Sequence, residues 1–155
     1  MTHILVFNLI LFGACLYALA AGGAPERWTA AVFLGGATMT FLLPFQPNVS
    51  YHTVHLRILA IDCLVLLALV GIALRADRFW PLYVSALHLL TIAIHGVKAL
   101  DPTLVPWMYA GASAKIAYPM LVLLALGVIR HRHRLALFGS DRDWSPVRPA
   151  DAESQ

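Results

Sequence analysis

Asp62, His95 and Lys115 are the residues through which this sequence could do chemistry, because each interrupts a run otherwise built from Leu, Ile, Val and Ala. An ionised group held at bilayer depth costs about 2.5–3.5 kcal/mol on insertion scales, so such groups turn inward and pair. Their depths follow from counting at about 1.5 Å per residue. Two antiparallel helices joined across the "RADR" turn, Arg75–Arg78, bring Asp62 level with His95. Lys115 lies about two turns into the last apolar run from the same side. Asn8 and Thr40 fall near that height in the first two runs. The expectation is one polar layer of Asp62, His95, Lys115, Asn8 and Thr40, with Asp62 paired to Lys115 and His95 bonded to the pair. His88 precedes His95 by seven residues and shares its helix face, with Thr91 between them, one layer deeper.

Three kinds of chemistry suit such a layer. Buried polar groups hold helices in register, which needs no reaction at all. Aspartate–histidine chains inside spans also carry protons or ions, with His88 as the next station inward. Histidines on facing helices can ligate haem; His95 with His52 or His55, or with Met39 or Met120, would supply two axial ligands. No motif requires a cofactor, and haem b, or a quinone, is what these side chains would suit. His52 and His55 also form an H-x-x-H before the third apolar run, a metal pair on the outer side. The chain contains no nucleotide-binding loop, G-x-S-x-G, H-E-x-x-H or C-x-x-C, so no enzymatic reaction is assigned.

The elements that must position these residues are membrane spans. The 155 residues are 60% hydrophobic and only 12% charged, and the mean hydropathy is +0.75. A soluble domain carries about 25% charged residues, so too few are present here to cover a surface facing water. Five segments approach the ~20 apolar residues a span needs: 4–21, 28–45, 56–74, 81–100 and 108–129. Short turns join them: "GGAPER", "QPNVSYHTVH", "RADR" and "DPTLVP". The fold expected is an all-α bundle of five transmembrane helices over residues 1–134, followed by a mobile tail over 135–155. Met1–His3 carries no Lys or Arg before the first run, so that run is expected to be retained as a span.

Arg27, Arg75, Arg78, Arg130, Arg132 and Arg134 share one end of this arrangement, against Arg57 and Lys98 at the other. That asymmetry puts the N-terminus outside and the C-terminal tail in the cytoplasm. Arg75, Arg78 and the "RHRHR" run read as orientation signals and anionic-lipid contacts. Trp28, Phe79 and Trp80 read as inner anchors, and Tyr51, Trp107 and Tyr109 as outer ones. The bilayer is the first partner expected, and a membrane protein or a second copy of the chain the next. The net charge of +3 is explained by orientation without nucleic acid. Cys15 and Cys63 lie in apolar runs and read as packing residues.

The segment from Leu56 to Pro102 holds an aspartate within a span, an "ALRADRFWPL" hinge and an "ALDP" turn. It resembles a group of small, uncharacterised multi-pass inner-membrane proteins of proteobacteria over about a third of the chain. The resemblance implies a bacterial inner membrane and no activity. The functional expectation is an accessory or structural subunit of a membrane assembly, organised by its polar layer. The alternatives are a proton- or ion-coupled transport or sensing protein, and a haem b or quinone protein.

Overall fold

The computed structural model describes residues 2–42, 56–100 and 106–145. These form five helices: α1 (Thr2–Ala21), α2 (Ala24–Leu42), α3 (Leu56–Arg75), α4 (Trp80–Leu100) and α5 (Pro106–Phe138). There is no strand among the described residues. An isolated antiparallel bridge joins Ala76 to Trp144. Each helix packs against its neighbour in the chain, α1 closes on α5, and α5 also touches α2. The bundle is therefore a ring in chain order, with α4 standing between α3 and α5.

Local chemistry sets the helix ends. Gly22 donates its amide to Ala18 O, closing α1. Pro25 and Glu26 then occupy the first turn of α2, where a fixed φ and a negative charge are both favourable. Pro81 plays the same part in α4. Gly139 has φ of 71° and donates to Leu135 O, the left-handed stop that ends α5.

Among the described residues, three helices are long and apolar enough to cross a membrane: Ile4–Ala21, Arg57–Arg75 and Trp80–Val97. The sequence reading had five. α2 and α5 are the least apolar of the helices. One opens on Glu26 and Arg27, and the other carries Lys115 and ends in the arginine run.

Large aliphatic side chains lie outside, among them Leu9, Leu16, Leu67, Leu74 and Leu82. The core is lean: Leu11, Cys15 and Ala18 of α1, Ala30 of α2, Leu69 of α3, Trp80 and Val84 of α4, and Met120, Leu121, Leu124 and Val128 of α5. A bundle with leucines outward and small residues at its contacts suits lipid, where helices gain little by hiding leucine. Phe7 and Tyr118 meet edge to face, with ring centroids 5.5 Å apart, and tie α1 to α5. Cys15 is buried and Cys63 exposed, both as free thiols.

Hydroxyls within the helices are mostly satisfied locally. Thr29 donates to Pro25 O, Thr38 to Leu34 O, Thr40 to Gly36 O and Ser85 to Pro81 O, each four residues back. Gly127 and Gly36 admit side chains of neighbouring helices. A Cβ at Gly127 would stand 2.8 Å from the Trp80 ring, and one at Gly36 would stand 2.8 Å from Val65 Cγ2. Gly13, Gly35 and Gly71 have open space where a Cβ would stand.

The boundary expected at residue 134 falls inside α5. Beyond Gly139 the chain folds back: Asp77 N donates to Asp143 O, Ser145 N donates to Arg75 O at 2.8 Å, and Ser145 Oγ reaches Ala76 O. Residues 139–145 thus form a strap across the α3–α4 turn. The rest of the expected tail, residues 146–155, lies outside the described residues.

Candidate functional site

α4 buries one stripe: Trp80, Pro81, Val84, Ser85, His88 and His95. Spacings of three, four and seven residues put these on one face, which packs on α3 and α5. The stripe presents both histidines to Asp62. His95 Nε2 stands 3.0 Å from Asp62 Oδ2. His88 Nε2 donates to the Asp62 carbonyl oxygen at 3.0 Å and lies 3.9 Å from Oδ1. That carbonyl can only accept, so His88 carries its proton on Nε2. Both histidines are buried, and the Asp62 side chain keeps 19% of its surface. Thr91 is half-buried between them.

The other members of the expected layer stay apart. Lys115 is exposed and forms no ion pair with Asp62. The ring order explains this: α4 separates α3 from α5, so equal height does not bring the two side chains together. Thr40 is exposed and spends its hydroxyl on Gly36 O. Asn8 is half-buried on α1, which packs chiefly on α2 and α5. The layer is a three-residue site on α3 and α4. His52 and His55 lie outside the described residues. Met39 is exposed on α2, whereas Met120 is in the core on α5. The Nε2 atoms of His88 and His95, the usual choice for iron, are both engaged by Asp62.

A second polar site, absent from the sequence reading, lies at the other end of the bundle. Arg78, read as an orientation charge in contact with lipid, has only 7% of its side chain exposed. Its Nη1 pairs with Glu26 Oε1, and its Nη2 pairs with Asp141 Oδ2 at 2.7 Å and Asp143 Oδ1 at 2.9 Å. Trp80, read as an interfacial anchor, is instead buried and donates Nε1–H to Glu26 Oε1 at 3.2 Å. Trp28 and Phe79 are exposed. His131 belongs to the cluster as well. Its Nδ1 is 2.6 Å from Asp141 Oδ2 and 3.0 Å from Arg78 Nη2. A nitrogen cannot donate to one and accept from the other. The shorter contact, to a carboxylate, fixes Nδ1–H as the donor to Asp141.

Arg134, also read as a lipid contact, has Nε 3.1 Å from Asp141 Oδ1. The charges pair there, but Oδ1 has no hydrogen bond, so the approach is off the donor axis. Arg75, Arg130 and Arg132 are exposed. Glu26 and Asp141 are not marked by the sequence, because "GGAPER" reads as a polar turn and "GSDRDW" as a polar tail. Gly139 directly after the last apolar residues was the available signal for a helix stop. The alternation of Asp141 and Asp143 behind "RHRHR" was the available signal for charge complementarity.

No protein-family model, no curated protein and no solved structure matches this chain.

Proposed function

We propose that this chain is a five-span protein of the bacterial inner membrane, N-terminus out and C-terminus in, that exchanges protons at Asp62, His95 and His88. Three apolar helices supply the first support. α2 and α5 pack between and against them and are 19 and 33 residues long, enough for the same depth. The orientation draws on Arg27, Arg75, Arg130 and Arg132, all exposed at the end that holds the Arg78 cluster.

The proton reading is carried by one observation: the partner within 3.0 Å of the Asp62 carboxylate is His95, while Lys115 stands exposed. An Asp–Lys pair would lock both charges and serve as glue. Histidine is the residue type that changes charge between about pH 5 and 8. His95 is thus a residue of the type that takes up and releases protons, and His88 offers a second imidazole on the same helix face.

The test uses full-length protein in liposomes with a trapped pH dye, alongside an infrared titration of carboxyl bands. The wild type collapses an imposed pH gradient faster than empty vesicles, and it shows a titrating carboxyl band that Asp62→Asn lacks. Asp62→Asn and His95→Gln fall to the empty-vesicle rate with melting temperatures near the wild type. A wild type that behaves as empty vesicles and shows no such band overturns the reading.

A second reading, an accessory subunit of a membrane assembly, is favoured by Gly13, Gly35 and Gly71. Each leaves open space where a Cβ would stand, which is what a partner helix needs to approach closely. Stoichiometric co-purification of another membrane protein, lost on Gly71→Leu, distinguishes it.

A further inference from the structure

The polar atoms around the tip of Arg78 outnumber what one guanidinium can serve. Nη2, with two hydrogens, stands 2.7 Å from Asp141 Oδ2, 2.9 Å from Asp143 Oδ1, 3.0 Å from His131 Nδ1 and 3.5 Å from Arg142 O. Meanwhile Glu26, fully buried, leaves Oε2 with no hydrogen-bond partner, and Asp141 Oδ1 has none either. Three carboxylates, Glu26, Asp141 and Asp143, face two guanidiniums, Arg78 and Arg134. With His131 neutral the cluster is one positive charge short. Ligand-type atoms of Glu26, His131 and Asp143 lie within 4.8 Å of one another. His131, Asp141 and Asp143 also line an open cleft of about 620 Å³ between α2 and the end of α5, which gives a route in. Gly23 keeps that side clear, since a Cβ there would overlap Asp143 Oδ1 and stand 3.0 Å from His131 Cε1.

We propose that Glu26, His131 and Asp143 form a divalent-cation site of the zinc class, in which Arg78 is the resident counter-ion and the metal displaces it. One imidazole and two carboxylates are the nitrogen and oxygen donors that such ions take, with a further position left for water from the cleft. Asp141 accepts from His131 Nδ1–H and holds its ring, the outer-shell partner that metal-binding histidines usually have, which leaves Nε2 as the nitrogen for the ion. The two charges of the ion, with Arg134, balance the three carboxylates once the Arg78 guanidinium has left. The site is independent of Asp62 and of the proton reading.

The test is Co²⁺ binding to the full-length protein in detergent, read from visible d–d bands, with Zn²⁺ as competitor. The wild type takes up one Co²⁺ per chain, Zn²⁺ removes the bands, and His131→Ala and Asp143→Asn each abolish them. Arg78→Ala removes the competing guanidinium and tightens binding by about tenfold or more. Zn²⁺ raises the melting temperature of Arg78→Ala by more than that of the wild type, because the metal replaces the missing charge. Should Arg78→Ala not fold, the wild type and the His131→Ala and Asp143→Asn variants still decide the matter. Absence of saturable bands in the wild type overturns the site. So does uptake that survives His131→Ala but disappears with His52→Ala/His55→Ala, which marks those histidines as the binders.

Discussion

The two polar regions of this bundle differ in how many parts of the chain they join. Asp62, His88 and His95 come from two consecutive helices, and the carboxylate there keeps part of its surface. The Arg78 cluster draws on the start of α2, the α3–α4 turn, the end of α5 and the strap, with Glu26 and Asp141 essentially fully buried. A permanently charged guanidinium sits at the centre of the second, and a histidine faces the carboxylate in the first. The cluster is thus built as a clasp, in which losing any charge strands the others. The Asp62 site holds its carboxylate against imidazoles alone, with part of its surface open. Both look alike in the sequence, as charged residues bordering or interrupting apolar runs.

The sharpest way to break this comparison is to remove one charge from each region. Arg78→Ala leaves Glu26 buried without a cation and is expected to lower stability by about 3–5 kcal/mol, measured by denaturant unfolding in detergent. Ending the chain after Phe138 removes Asp141, Asp143 and the bridge to Ala76. Loss of those charge-assisted bonds lowers stability by about 2–3 kcal/mol, read by the same unfolding curve. Gly127→Ala drives a methyl into the Trp80 ring and so displaces the indole from Glu26. Overpacking of this kind costs about 1–3 kcal/mol, and tryptophan fluorescence reports the displacement. Asp62→Asn is the mildest, at about 1 kcal/mol or less, because an amide still accepts from His95. On the proposed reading its larger effect is on proton exchange. Equal losses for Arg78→Ala and Asp62→Asn would erase the distinction between the two regions.

Helix order and the pairing of α3 with α4 were legible because hydrophobic runs and a tight turn are local signals. Counting residues from the "RADR" turn places Asp62 opposite His95 without knowledge of the rest of the bundle. Lys115 was misplaced because counting gives height along a helix and says nothing about which helices are neighbours. Ring closure put α4 in the way. Arg78, Trp80 and His131 were read as interfacial because each borders an apolar run. Their inward turn depends on Glu26, which is 52 residues away from Arg78, and on Asp141, which is 63 away. No local pattern carries such separations. Thr40 shows the opposite failure, since a hydroxyl that looks available to neighbours is satisfied inside its own helix.

The return of the strap has a consequence for biosynthesis. A nascent chain delivers Arg78 to the ribosome exit 63 residues before Asp141. Of the three carboxylates that hold it in the folded protein, only Glu26 has been made by then. Arg78 therefore lacks two of its partners while the hairpin of α3 and α4 forms, and it becomes an internal fastener when Asp141 and Asp143 emerge. The clasp is thus completed only after the other four helices have been made, with the order set by the direction of translation.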